Sequence, residues 1–203
     1  MHQAVGKTQT LTDVMDPARA LALAATTGAD YAADQPLFPF AHQVYFWDAR
    51  PPSELGRDGH PARGGFIPDL GLPRRMWAGG RLEFHAPLYT GQPAEKITTL
   101  ETVIEKQGRT GPLAFVSLCH KIRQAGTVRV TEWQDLVYRE DPAPDTPAPT
   151  PPRAATDAEA TETETFSPTT LFRYSALTFN GHRIHYDLDY CRKVEGYPGL
   201  VVH

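Results

Sequence analysis

The sequence contains few cysteines and no long apolar run, and these absences exclude several classes of protein. Cys119 and Cys191 are its only cysteines and lie far apart, without C-x-x-C spacing. This excludes a disulfide framework and a structural zinc site, and predicts two buried, reduced thiols. No apolar stretch reaches the length of about eighteen residues that a membrane span needs, and no secretory signal is recognisable. We therefore expect a cytoplasmic protein with no membrane partner.

A strong charge of either sign is also lacking. The 203 residues include 20 Lys and Arg against 24 Asp and Glu, a net charge of −4, which argues against a nucleic-acid partner. Residues 141–165 hold six acidic residues and one basic residue among Pro, Ala and Thr, with no large apolar side chain. Such a segment cannot offset the entropy cost of ordering, so it is predicted to be a disordered linker. The linker divides the chain into residues 1–140 and 166–203.

One helix is predicted near the start of the first segment. Asp16 is a suitable N-cap, Pro17 suits the first helical position, and Gly28 can end the helix. Aromatic residues between Pro36 and Trp47 predict a buried cluster of uncertain secondary structure. Residues 51–71 are rich in Gly and Pro and predict a loop.

Alternating apolar and polar residues then predict consecutive strands joined by short turns that contain glycine. Such strands form an antiparallel meander, and the early helix can cover one face, which gives an α+β class. Trp77 and Trp133 are expected to pack in the core. The predicted strands are Arg81–His85, Lys96–Lys106, Leu113–Arg123 and Thr127–Arg139.

A dense group of polar side chains occupies residues 180–187, N-G-H-R-I-H-Y-D, directly after an apolar stretch. It could be a solvated polar loop. It could also be a metal site formed by His182, His185 and Asp187, although a strand leading into a loop lacks the helical spacing of known zinc motifs. Finally, it could be an acid/base site, since a histidine with a pKa near neutrality exchanges protons at physiological pH.

The segments Tyr174–Asp187 and Tyr197–His203 resemble the hydratase motif of MaoC-like proteins. The resemblance is narrower to the type 2 hydroxyacyl-thioester dehydratases and to the mesaconyl-CoA and itaconyl-CoA hydratases, and Leu72–Phe84 resembles the N-terminal half of that group. That family consists of two hotdog folds in tandem, each an antiparallel sheet wrapped on a helix. The resemblance implies a degenerate first hotdog over residues 1–140 and a catalytic second hotdog that begins at Phe166.

The resemblance also implies roles for individual residues. His185 corresponds to the catalytic acid/base, and Asn180 stands where the wider family has aspartate. An amide can orient water but cannot act as a general base, so His185 would carry the proton in both directions. The second hotdog's helix would begin within Gly199–His203, and arginines could meet CoA phosphates or an acyl carboxylate. The implied substrate-binding residues are Arg74, Arg75, Tyr174, His182, Arg183, Gly199, Val202 and His203.

The implied activity is that of a hydro-lyase acting on a short or branched enoyl-CoA. The CoA thioester would be the substrate, with no further cofactor and no metal, and a homodimer is expected. A non-catalytic hotdog subunit that binds acyl-CoA or serves assembly is the alternative, and a thioesterase ranks last because no carboxylate is aligned for that role. Thirty-eight residues after the linker cannot form a whole hotdog, so we expect the second hotdog to be incomplete in this chain.

Overall fold

A computed structural model describes residues 2–108, 111–141, 143 and 153–203. Within these ranges the chain forms five strands and three α-helices, with short 3-10 helices at Ala41–Val44, Pro52–Glu54 and Arg183–His185. In chain order the main elements are β1 Thr8–Asp13, α1 Pro17–Thr27, β2 Arg74–Phe84, β3 Ala94–Gly108, β4 Gly111–Gln124, β5 Thr127–Arg139, α2 Pro168–Thr178 and α3 Leu188–Lys193.

The strands form one antiparallel sheet in the order β1-β3-β4-β5-β2. Strands β3, β4 and β5 follow one another as the predicted meander, while β2 adds to β5 and β1 adds to β3. The turn between β4 and β5 places Ala125 and Gly126 in the left-handed region, with φ of 50° and 75°. Glycine adopts this conformation without a steric penalty, which explains its place in the turn.

Strand β2 begins earlier than predicted, at Arg74 instead of Arg81, because residues 74–77 also pair with the end of β5. The two glycines of this strand do not break it. A Cβ atom at Gly80 would lie 2.9 Å from the carbonyl oxygen of Trp133, so glycine allows the two strands to approach. The expectation that Trp77 packs in the core was wrong, since it is 67% exposed. Trp133 is half-buried, and the guanidinium of Arg81 lies 3.8 Å from its ring centroid.

Helix α1 has the predicted limits and covers one face of the sheet. The Asp16 carboxylate accepts a hydrogen bond from the backbone N–H of Ala18 at 2.9 Å, and Gly28 ends the helix with φ of 76°. The buried residues Ala20 and Leu23 belong to a core cluster that also contains sheet residues. A second cluster covers the other end of the sheet, and its buried members are Leu72, Leu100, Ala114, Val116, Leu118, Leu136 and Tyr138.

The aromatic segment between Pro36 and Trp47 is only partly the buried cluster that we predicted. Tyr45 and Phe46 are buried in the core beside α1. Phe40 and Trp47 are 53% and 37% exposed. The short 3-10 helix Ala41–Val44 lies between the exposed Phe40 and the buried pair Tyr45 and Phe46.

The segment after the predicted linker is helical, so its interpretation as a strand leading into a loop was wrong. The hydroxyl of Ser167 accepts a hydrogen bond from the backbone N–H of Thr170 at 3.1 Å and caps α2, which packs against α1. Residues 153–167 are exposed and form neither helix nor strand, while residues 142 and 144–152 of the linker lie outside the described residues. None of the helices in the described ranges is long and apolar enough to cross a membrane.

Candidate active site

Asn180 lies directly after the end of helix α2, where Phe179 takes a left-handed conformation with φ of 53°. The backbone N–H of Asn180 donates to the carbonyl of Ser175 at 2.9 Å. Its side-chain oxygen accepts from the backbone N–H of His182 at 3.0 Å, which forms a tight turn. The side-chain NH₂ group of Asn180 is left to donate to a ligand.

His185 is buried at the end of the 3-10 helix Arg183–His185, with 6% of its surface exposed. Its Nδ1 lies 2.8 Å from the carbonyl oxygen of Val201. Because a carbonyl oxygen can only accept, Nδ1 carries the hydrogen and the lone pair of the neutral ring is on Nε2. Burial lowers the pKa of His185, and the bond to Val201 opposes this only in part. The ring is therefore neutral at pH 7, which is the state that a general base requires.

Four imidazole rings form a row in which His185 is the third member. The centroids of His60 and His182 are 4.6 Å apart, those of His182 and His185 are 5.5 Å apart, and His185 stacks on His203 at 3.8 Å. Burial lowers the pKa of His182 to about 4 and that of His203 to about 3, with neighbouring imidazoles adding to the effect. Mutual repulsion and burial thus keep the row uncharged at neutral pH.

The row is continued by two residues of helix α2. The hydroxyl of Ser175 and Nε2 of His203 are 2.8 Å apart, and the ring centroid of Tyr174 is 4.7 Å from that of His203. The structure therefore brings four of the predicted site residues together: Tyr174, His182, His185 and His203. Their roles toward a substrate stay predictions.

His60 was missed by sequence reasoning, because it lies in the Gly- and Pro-rich loop more than a hundred residues before His182. The loop docks on the segment after α2 through backbone contacts. The N–H of Arg183 donates to the carbonyl of Asp58 at 2.9 Å. A Cβ atom at Gly59 would lie 2.0 Å from the carbonyl oxygen of Gly181, so only glycine fits there. A glycine in an irregular loop does not indicate which distant segment of the chain the loop contacts, so the sequence could not predict this docking.

The three candidate arginines have different surroundings. Arg74 is buried, and its guanidinium pairs with Glu195 at 2.5 Å. Arg183 is partly exposed and pairs with Asp187 at 2.7 Å. Arg75 is half-buried, and its charge contributes to lowering the pKa of His60 and His182. Of the three, Arg75 faces the imidazole row, whereas Arg74 is held inside by a carboxylate of the same chain.

The last ten residues form neither helix nor strand, so the helix start expected within Gly199–His203 is absent from the described residues. The carbonyl of Gly199 accepts from the Cys191 thiol at 2.7 Å, and Val202 is 49% exposed. Cys119 and Cys191 are both buried and free, as predicted.

Asn180 and His185 are near each other in sequence, but no hydrogen bond joins them within the described part of the chain. A cavity of about 210 Å³ adjoins the preceding residues Thr178 and Phe179. Its opposite wall is formed by polar residues on or near the sheet, namely His42, Gln43, Lys96 and Glu132.

Comparison with solved structures defines the class of fold. The chain is similar to HtdX of Mycobacterium tuberculosis, with a TM-score of 0.62 and 21% identity over 97% of this chain and 71% of that one. It is similar to a MaoC-like dehydratase of Phytophthora capsici, with a TM-score of 0.61 and 14% identity over 98% and 69%. The predicted hotdog fold of α+β class is confirmed. The tandem arrangement and its boundaries at residues 140 and 166 stay predictions.

Sequence comparison then gives the family. Residues 40–203 match the sequence model of hydroxyacyl-thioester dehydratase type 2. The chain is 50% identical over 204 residues to mesaconyl-C(4)-CoA hydratase of Chloroflexus aurantiacus, covering 98% of this chain and 72% of that protein. It is 30% identical to the mitochondrial hydroxyacyl-thioester dehydratase type 2 of Schizosaccharomyces pombe, covering 82% and 62%. The chain belongs to the hydroxyacyl-thioester dehydratase type 2 family, as its motifs predict.

Proposed function

We propose that this protein is a hydro-lyase that adds water to, or removes it from, the double bond of a short or branched enoyl-CoA. The membership of the dehydratase family and the 50% identity to a mesaconyl-C(4)-CoA hydratase support this activity. A mesaconyl thioester, which carries a second carboxylate, is the substrate that we favour. Arg75, half-buried beside the imidazole row, is our candidate for its recognition.

The observation that carries the proposal is the hydrogen bond between Nδ1 of His185 and the carbonyl of Val201. It orients a buried, neutral imidazole with Nε2 as the basic atom. In hydration, Nε2 removes a proton from water while the water oxygen bonds to the β-carbon of the enoyl group. The π electrons move to the thioester oxygen as an enolate. The imidazolium then donates its proton to the α-carbon, and dehydration follows the same steps in reverse.

Two further roles follow from this scheme. The side-chain NH₂ group of Asn180 is proposed to donate a hydrogen bond to the oxygen of the attacking water. The side-chain oxygen of Asn180 meanwhile accepts the hydrogen bond from the backbone N–H of His182. Backbone N–H groups near Gly199 and Val202 are proposed to donate to the developing enolate oxygen, where fixed donors are most effective. The side chains of Tyr174, His182 and His203 are proposed to contact the substrate near the thioester. Arg183, which is partly exposed, stays a candidate for the CoA phosphates, whereas Arg74 would first have to leave its buried pair with Glu195.

The reaction as written needs no cofactor other than the CoA carried by the substrate. We also propose a homodimer, because soluble oligomers are most often symmetric pairs, and a cytoplasmic location.

The principal test is the substitution His185→Ala in the intact protein. Removal of the general acid/base should lower kcat/KM by roughly 10²–10⁴-fold. Circular dichroism and the unfolding midpoint show that the variant is folded under the assay conditions. The ultraviolet absorbance of the enoyl thioester, with mesaconyl-CoA and crotonyl-CoA as substrates, measures the rate. His2→Ala, at a histidine outside the site, is the matched control and should keep the parental rate. A His185→Ala variant as fast as the parent would exclude the proposed role.

A non-catalytic subunit that binds acyl-CoA is the second candidate, and one observation favours it. Residue 180 offers an amide in place of a carboxylate, and its side-chain oxygen already accepts a hydrogen bond from the backbone N–H of His182, so it cannot take a proton from a water molecule. Calorimetric binding of enoyl-CoA with no change in its absorbance would support this alternative. Hydration of enoyl-CoA by the parental protein would exclude a non-catalytic subunit.

A further inference from the structure

Three side chains with metal-ligating atoms meet where the loop before β2 docks on the segment after α2. They are Asp58 and His60 of the loop and His182 of the segment. One carboxylate oxygen and one ring nitrogen from each histidine all lie within 4.8 Å of one another. One ion placed between three atoms at this spacing can reach each of them at about 2.0–2.2 Å after small side-chain movements.

Backbone contacts hold these three residues in place. The N–H of Gly56 donates to the carbonyl of His60 at 2.7 Å, and the N–H of His60 donates to Oδ1 of Asp58 at 3.1 Å. These bonds close the loop into a tight turn and leave Oδ2 of Asp58 available. The bond from the Arg183 N–H to Asp58 and the contact of Gly59 with Gly181 fix the turn against His182. The ligand atoms are therefore positioned before any ion arrives, which lowers the entropy cost of binding.

The chemistry of the ligand set selects the kind of ion. Two imidazoles and one carboxylate match sites for zinc and similar transition ions, whereas calcium and magnesium prefer oxygen ligands alone. Both rings are available as ligands, because within the described ranges no hydrogen bond engages their ring nitrogens.

We propose that Asp58, His60 and His182 form a binding site for a divalent transition ion of the zinc type. The ion would link the loop to the segment that carries Asn180 and His185. This differs from the metal site considered from the sequence, because Asp187 pairs with Arg183 and Nδ1 of His185 is bonded to Val201.

Cobalt(II) is a suitable probe, because it replaces zinc and gives a visible absorption band when bound to nitrogen and oxygen ligands. The intact protein, first treated with a chelator, is titrated with Co²⁺ at pH 7. The band should saturate at one ion per chain and disappear when Zn²⁺ is added. Asp58→Asn and His60→Gln should each weaken binding by at least about tenfold, since each removes one of three ligands.

Matched controls are Asp69→Asn, a carboxylate further along the same loop, and His2→Gln, which should both bind like the parent. Circular dichroism and the unfolding midpoint show that each variant is folded. The proposal is overturned if no saturable band forms, or if Asp58→Asn and His60→Gln bind as tightly as the controls. The cobalt spectrum does not depend on hydratase turnover, so it reports on the ion site whether or not the proposed activity is found.

Discussion

The carbonyl of Val201 decides which nitrogen of His185 can act as a base. A histidine in a polar loop exchanges between two neutral tautomers, and each presents a different basic atom to a substrate. The hydrogen bond from Nδ1 to the carbonyl oxygen of Val201, at 2.8 Å, selects the tautomer whose basic atom is Nε2. This bond joins residues sixteen positions apart, and the carbonyl belongs to the backbone, so no side-chain pattern could predict it. The catalytic role that the resemblance implies for the His185 imidazole stays a prediction, and the fold supplies the orientation of the ring.

The imidazole row makes a prediction about pH. The pKa of His182 is about 4 and that of His203 is about 3, whereas unfolded histidine titrates near its ordinary value of about 6.5. Between these values the unfolded chain binds more protons than the folded one, so stability rises with pH and is lost on acidification. We therefore expect the urea midpoint to fall between about pH 7 and pH 5.5, a range in which most carboxylates remain ionised.

Denaturation followed by circular dichroism at both pH values checks this expectation. The variant His203→Gln lacks one of the depressed histidines and should show a smaller loss. Equal urea midpoints of the parental protein at both pH values would show that the pKa values of the row are not lowered by folding, and would contradict the prediction.

At the scale of elements, the sequence predicted those whose own residues define them. Asp16, Pro17 and Gly28 mark both ends of α1, and strict alternation marks β3 to β5. Strand β1 was not predicted, because its six residues include one large apolar side chain, Leu11, as befits an edge strand. The start of β2 depends on its pairing with β5, which lies far along the chain. Helix α2 has the same local signals as α1, an N-cap at Ser167 and a proline at the first position, but its segment was interpreted as a strand.

The docking of the loop on the segment after α2 is an element-scale contact that two glycines permit. Gly59 has φ of 85°, and a Cβ there would overlap the carbonyl of Gly181. Gly59→Ala should therefore destabilise the protein by about 1–3 kcal/mol, through strain at a positive φ and separation of the two elements. It should also lower hydratase activity, because the loop supports the turn that carries His182.

Gly65→Ala is the matched control for this prediction, since a Cβ at Gly65 meets no atom within 4 Å. Thermal or urea unfolding measures both variants. Equal stability of Gly59→Ala and Gly65→Ala would show that the docked loop contributes nothing to the fold.

For the whole molecule, the candidate site is a product of two distant parts of the chain. Loop residues 56–60 and strand β2 supply His60 and Arg75, while the segment after α2 supplies Asn180 and His185. The motif identified the second part, because its polar residues are contiguous. In the first part, Arg75 was already implied by the resemblance of Leu72–Phe84, whereas His60 lies in an irregular loop and joins the site only through the fold.

The cavity between the sheet and the end of α2 predicts which acyl chains the whole protein accepts. We expect the acyl group to enter it, because Thr178 and Phe179 line it directly before Asn180. Its far wall includes Lys96 and Glu132. The carboxylate of Glu132 accepts hydrogen bonds from the side chain of Gln43 at 2.9 and 3.0 Å. Burial raises the pKa of Glu132, but the bonds from His42 and Gln43 outweigh burial and keep it ionised. A long hydrocarbon chain would remove water from these charged groups without replacing its hydrogen bonds.

We therefore expect kcat/KM to be at least about tenfold higher for four-carbon enoyl thioesters than for the eight-carbon homologue, a ratio within the range that pocket contacts provide. Absorbance assays over a series of chain lengths measure it. Lys96→Met replaces the ammonium with an apolar group of similar length, so it should raise the relative rate with the eight-carbon substrate. Lys106→Met, at an exposed lysine toward the other end of β3, is the matched control and should leave the ratio unchanged. A higher kcat/KM of the parental protein for the eight-carbon substrate would mean that the acyl group does not lie in this cavity, because added methylene groups gain no stabilisation against a polar wall.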